Sequence, residues 1–227
     1  MRVRFLRREQ VATDIYTFWF EPEQPTRYTA GQFTELYLPH DEPDLRGQRR
    51  WFSLSSSPSE PNLSITTHIV DGKRSTFKQA LFELQPGAPL SLADPMGDFV
   101  LPKDTDIPLV FAAAGMGIAP VRSMVKYLLD TQERRTMRLL QSVRAAEELI
   151  FTDLFEAYGL PTTQLISTAD QRLTTEHLLS LMQEDDRTLL YLSGPELLVE
   201  TLVRDLEQAG LPAARLIADY FPGYTQF

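Results

Sequence analysis

Apolar and polar residues change their rhythm once along this chain. Up to about residue 100 the pattern is one of short alternating runs, such as Ile15 to Phe20 and Leu63 to Val70, interrupted by Pro, Gly, Asn and Asp. Alternation at period two turns every second side chain to one face, so these runs predict the half-buried strands of a small antiparallel barrel. One helix is expected within it, Thr76 to Leu84. Beyond Leu101-Pro102-Lys103-Asp104-Thr105-Asp106, apolar runs at 109–114, 137–143, 162–167, 188–193 and 214–218 alternate with helical stretches. Pro120 suits a first helical turn, Thr174 or Thr175 a cap, and Gly210 the end of a helix begun near Pro195. Strand-helix alternation of this kind predicts a five-stranded parallel sheet with helices on both faces. The expected organisation is therefore a two-domain β + α/β chain divided into 1–102 and 103–227. No internal repeat or low-complexity linker is present, and the His40 to Gln48 stretch, rich in Asp, Glu, Pro and Gly, reads as a surface loop.

Composition narrows the chemistry. Over 227 residues, a hydrophobic content of 43% is ample for two modest cores. The absence of cysteine excludes disulfides, thiolate-bound zinc and an ordinary iron-sulfur cluster within this chain, so an acceptor carrying such a cluster has to be another protein. His40, His68 and His177 lie far apart without ligand spacing, and no metal site is expected. The net charge of -9 falls mostly beyond residue 100, which disfavours nucleic acid as a partner. Arg2, Arg4, Arg7 and Arg8 form either a basic patch for a small acidic redox carrier or ordinary solvated charge. With no apolar run of ~18 residues and no signal-peptide core at Met1 to Arg8, a soluble cytoplasmic protein without an integral membrane segment is expected.

Three segments are suited to handling anions. In Arg50-Trp51-Phe52-Ser53-Leu54, an extended strand offers charge, ring and hydroxyl to one flat ligand. In Asp71-Gly72-Lys73-Arg74-Ser75-Thr76, backbone N–H groups, two cations and two hydroxyls converge as a diphosphate requires. In Gly115-Met116-Gly117-Ile118-Ala119-Pro120, an apolar strand passes through glycines into a helix N-terminus, a site for phosphate. Their order suggests a flavin domain followed by a nicotinamide domain. Each has a plainer alternative: Trp51 and Phe52 as core strand residues, Ser55-Ser56-Ser57-Pro58 as a turn, Ser75 and Thr76 as a helix cap.

With Ala30-Gly31-Gln32-Phe33, Asp94-Pro95-Met96-Gly97, Ser193-Gly194-Pro195 and Asp219-Tyr220-Phe221 in the same order, the chain resembles the ferredoxin-NADP reductase superfamily over nearly its whole length. It is most similar to the short flavodoxin/ferredoxin reductases without an iron-sulfur domain. The resemblance implies FAD, with Arg50 on a flavin phosphate, Trp51 and Phe52 at the ring site, and Ser53 near the ring atom that accepts hydride. It places Thr66, Thr67 and His68 along the ribityl chain and phosphates, with Lys73, Arg74, Ser75 and Thr76 completing the pocket. Phe52 replaces the family's usual Tyr, a loss of about 0.5–1.5 kcal/mol if one ordinary hydrogen bond goes with it.

For the coenzyme, the resemblance implies binding of NADH or NADPH at Ala114, Gly115, Met116, Gly117, Gly194 and Pro195. Ala114 stands for a family Gly, and its methyl is expected to narrow the dinucleotide's approach. Ser193 stands for a Cys near the nicotinamide and Asp219 for a Glu; with Ser53 they are the candidate catalytic residues. Ser167 lacks the neighbouring Arg that meets a 2′-phosphate, although Arg144 and Arg172 lie at nearby positions, and this favours NADH. Phe221 and the aromatics after it either cover the flavin or pack as a tail. The function so implied is hydride transfer from NAD(P)H to FAD, followed by single electrons to ferredoxin, flavodoxin or an oxygenase component. A free-flavin or quinone reductase shares every motif, and a non-catalytic flavin-binding relay or regulatory subunit is the alternative from the binding class.

Overall fold

In the computed structural model, residues 1–70, 72, 75–167, 173–182 and 185–221 are described, Phe221 by its backbone alone. The first half contains β1 (Arg2–Ala12), β2 (Ile15–Pro22), β3 (Phe33–Tyr37), β4 (Arg49–Ser53), β5 (Leu63–His68), α1 (Thr76–Glu83) and β6 (Pro89–Leu92). The strands form one antiparallel sheet in the order β4-β3-β6-β1-β2-β5. Its edges meet at an antiparallel bridge between Leu54 and Ile65, which closes the sheet on itself. Alternation buries Val3, Phe5, Phe18, Phe20, Leu36 and Ile65 inside, and Phe77 and Leu81 of α1 plug the barrel. Gly31 is at φ +98, and a Cβ there would lie 2.1 Å from the Phe99 carbonyl oxygen, so the turn before β3 accepts no other residue without movement.

The second half runs β7 (Leu109–Ala114), α2 (Ile118–Asp130), β8 (Met137–Val143), α3 (Thr152–Tyr158), β9 (Thr162–Ile166), α4 (Thr175–Met182), β10 (Leu189–Pro195), α5 (Glu196–Gln208) and β11 (Leu216–Phe221). These five strands form a parallel sheet in the order β11-β10-β7-β8-β9. One core packs α2 and α3 on one face, and a second packs α4 and α5 on the other. The chain winds outward from β7 in both directions, so the strand order reverses between β7 and β10. In open sheets of this kind, ligands lie in the crevice outside the carboxyl ends of the strands at that reversal.

The two halves share a built interface. Ile15, Ala30 and Phe99 join the core under α2, and the Tyr191 hydroxyl of β10 donates to the Val100 carbonyl at 2.7 Å. Ser55, Ser56 and Ser57, which read as a turn, are buried and form a socket for α2. Arg122 of α2 donates to the Ser55 carbonyl at 2.8 Å and through both terminal nitrogens to the Glu60 carboxylate. Ser123 donates to the Ser56 carbonyl at 2.5 Å, and Ser59 to Asp130 at 2.6 Å. Among the described residues no helix is long and apolar enough to cross a membrane.

Candidate functional site

Strand β4 carries the first group of candidates because its alternation turns Arg50 inward and Trp51 outward. Arg50 is 9% exposed, with its guanidinium carbon 4.9 Å from the Phe77 ring centre. Nη1 donates to the carbonyls of Arg46, Gly47 and Arg49 at 3.0, 2.9 and 2.7 Å, and Nη2 to the Asp44 carboxylate at 2.7 Å. Trp51 is 43% exposed and meets Phe33 edge-on. Phe52 is half-buried, 6.2 Å from Phe77 ring to ring. Ser53 is buried and donates to Asp219 across the two halves at 3.3 Å.

Thr66 is drawn into an internal chain, its hydroxyl 2.9 Å from Thr17 and 2.8 Å from Ser55. Thr67 is buried next to it on β5. His68 ends that strand with its Nδ1 buried and without a hydrogen-bond partner among the described residues, and burial depresses its pKa, which favours the neutral imidazole. Ser75 caps α1 by accepting from the Lys78 backbone N–H at 3.2 Å. The Thr76 hydroxyl lies 3.1 Å from His40 Nε2 and accepts from the Asp44 N–H at 3.2 Å. Lys73 and Arg74 lie outside the described residues. Lys78, which sequence reasoning passed over, lies in the first turn of α1. Burial, with Arg46 and Arg50 nearby, brings its ammonium down to about 8.

The second group sits at the carboxyl ends of β7 and β10. Gly115 is at φ +53 and begins a single 3-10 turn, Gly115–Gly117, leading into α2. Gly117 has ordinary helical angles, but a Cβ there would lie 2.1 Å from the Ser193 carbonyl oxygen, so its small size is required by close approach. Gly194 is confined in the same way, since a Cβ there would lie 2.9 Å from the Ala114 methyl. That methyl is thus turned against the β10 backbone, and Met116 packs partly buried onto the α2 core. Pro195 is the N-cap of α5. Ser193 is 2% exposed and its hydroxyl has no partner among the described residues. Asp219 stands opposite Ser193 in the β10–β11 register. Burial raises the Asp219 carboxyl pKa, which the Ser53 bond only partly offsets.

Ser53, Ser193 and Asp219, distant in sequence, are therefore neighbours where the barrel meets the mouth of the parallel sheet. The other coenzyme candidates stand apart from them. Arg144 follows β8, is mostly exposed, and is clasped by Glu148 at 2.8 Å from Nη2 and 3.1 Å from Nε. Ser167 follows β9 and is half-buried, its N–H donating to the Val143 carbonyl at 2.6 Å. Arg172 and the Phe221 side chain lie outside the described residues. Reasoning from sequence also missed Asp44, Arg46, Arg122 and Glu60. The one available signal was Arg122, a half-buried charge within the largely apolar first turns of α2, Ile118 to Val125.

The residues fit a flat, phosphate-bearing cofactor on three observations. The Asp44 carboxylate collects donors from Arg50, from Arg46 at 2.9 Å and from the Arg46 backbone at 2.9 Å, the set a phosphate takes. Arg46 and Arg50 gather on that one carboxylate, and Lys78 lies near enough to both for their charge to help depress its ammonium. The orphaned Ser193 hydroxyl and His68 Nδ1 ask for further partners.

The family model for an oxidoreductase NAD-binding domain matches residues 111–204. The reductase component of propane 2-monooxygenase from Rhodococcus jostii is 24% identical, over 97% of this chain and 63% of the relative. The glycine betaine monooxygenase reductase subunit of Chromohalobacter salexigens is 31% identical over 66% of this chain and 40% of its own length. The chain thus spans less than two thirds of these curated relatives. Ferredoxin-NADP+ reductase from Plasmodium falciparum superposes with a TM-score of 0.80 at 15% identity, covering 97% of this chain and 95% of that one.

Proposed function

We propose that this chain, a member of the ferredoxin-NADP reductase superfamily, is a flavin-dependent reductase that accepts hydride from a reduced nicotinamide coenzyme and supplies electrons to a partner protein. The observation that carries this reading is the meeting of Ser53, Ser193 and Asp219 where the barrel faces the β7–β10 crevice. When bound, FAD supplies a ring that takes a hydride and releases electrons one at a time. Arg50, Lys78 and the start of α1 would hold its phosphates, Phe52 would flank its ring, and Thr67 and His68 would border its chain. Gly117 and Gly194 let the ends of β7 and β10 pack closely beneath the crevice, and the N-terminus of α2 would receive the coenzyme's phosphates. Ser53 holds a hydroxyl at the reacting edge and Asp219 orients that hydroxyl. Such a site works by placement, so no covalent nucleophile is needed.

NADH is the favoured coenzyme, because Glu148 engages the Arg144 guanidinium and Ser167 brings no charge. The relatives named as reductase parts of monooxygenases support an oxygenase component as acceptor, rather than free flavin or quinone. Anaerobic titration of the flavin-loaded protein with NADH and then NADPH is the test. Bleaching of the visible band by NADH at lower concentration than by NADPH is expected. A bound flavin that stays oxidised with both would refute the reductase reading, and failure to bind flavin at all would leave only the fold.

A further inference from the structure

The segment joining β3 to β4 reads as solvent-exposed chain, and Leu45 at its tip is fully exposed. Asp44 nevertheless points back to the barrel and takes one hydrogen bond from Arg50 and two from Arg46. Its N–H and His40 together occupy the hydroxyl of Thr76 at the first residue of α1. The polar contacts of Asp44 and of the Arg46 and Gly47 carbonyls converge on Arg50 and Thr76, groups that would receive a phosphate, while His40 also meets the Phe77 ring edge-on and its carbonyl accepts from Gln48. Glu42 at φ +50 and Gly47 at φ +67 bound the turn as points where the backbone changes direction. Beside it lies an open cavity of about 780 Å³ lined by His40, Asp41, Glu42, Thr76, Gln79 and Glu83, so the segment has room to move without disturbing the core.

Resting on the flavoprotein reading above, we infer that Asp44 is an internal anion seated on Arg50, and that residues 40–47 form a latch which a flavin phosphate displaces on binding. The carboxylate and the phosphate compete for the same guanidinium, since Arg50 Nη1 is committed to three carbonyls and Nη2 to Asp44. The barrel therefore keeps its phosphate site neutralised and ordered before the cofactor arrives. The latch weakens retention of flavin phosphates by the strength of this internal contact.

The test is Asp44→Asn in the flavin-free full chain, with riboflavin, FMN and FAD titrated separately. Asparagine keeps the size and one acceptor and removes the charge. FMN and FAD are expected to bind about tenfold more tightly to the variant, equivalent to about 1.4 kcal/mol, while riboflavin, which has no phosphate, binds both proteins equally. Limited trypsin digestion gives an independent readout: cleavage after Arg46 is expected to be faster in FAD-loaded wild type and in flavin-free Asp44→Asn than in flavin-free wild type. Unchanged or weaker FAD binding by a folded variant overturns the latch and makes Asp44 a support for Arg50. An equal shift for all three ligands also overturns it. If wild type binds none of the three, the flavoprotein reading itself falls, and the latch with it.

Discussion

Replacing Arg122 with methionine should uncouple the two halves. The side chains of Arg122 and Glu60 are each 13% exposed, so the pair lies near the buried limit. Methionine preserves the apolar stem but removes both bonds to the carboxylate and the one to the Ser55 carbonyl. Glu60 is then left with the Ser57 N–H, at 2.7 Å, as its described partner. Removing one member of a buried pair costs about 3–5 kcal/mol, and the residual exposure places this case near 3 kcal/mol. Urea denaturation read by two probes is the assay. Both tryptophans, Trp19 and Trp51, lie in the barrel strands, whereas four of the five helices lie in the other half, so fluorescence and far-ultraviolet dichroism report different parts. Wild type should give coincident transitions. Arg122→Met should give separated ones, and a cycle with Glu60→Gln should return a coupling of about 2 kcal/mol. A loss below about 1 kcal/mol with coincident transitions would refute the clamp, because surface pairs alone are worth that little.

Gly117→Ala is expected to lower stability by about 1–3 kcal/mol through overpacking against the Ser193 carbonyl, measured by thermal unfolding; an unchanged midpoint would show that the β7 and β10 ends can part at no cost. The raised Asp219 pKa means that the folded state holds this proton more firmly than the unfolded one. Its contribution is therefore present in acid and lost as pH rises from the ordinary carboxylate range through the folded pKa. Asp219→Asn should flatten that part of the stability-pH profile, and parallel profiles for the two proteins would refute the assignment.

The strands and helices were legible because each depends on periodicity or on a single cap residue. The runs at 109–114 and 137–143 match β7 and β8 at both ends, Thr174 caps α4 through the His177 N–H, and Gly210 terminates α5 at φ +93. The catalytic candidates Ser53, Ser193 and Asp219 were legible through family likeness, and their convergence required the fold. Asp44 was hidden because its neighbours spell an acidic, Pro- and Gly-containing loop, and its pairing with Arg50 depends on a reversal of the chain that leaves no periodic trace. Arg122 and Glu60 are 62 positions apart, beyond any local pattern. Ser55 to Ser57 have the composition of a turn, and only the packing of α2 above them explains why three hydroxyl residues are buried.

The serine socket also sets the grain at which such proteins can be recombined. A chimaera that exchanged everything after β6 for a relative's nicotinamide half would set a foreign helix on Ser55, Ser56 and Glu60, whose carbonyls and carboxylate are shaped for Arg122 and Ser123. The heritable module is therefore discontinuous: the parallel sheet together with the short β4–β5 connection, carried as one unit although β5, α1 and β6 separate them in sequence.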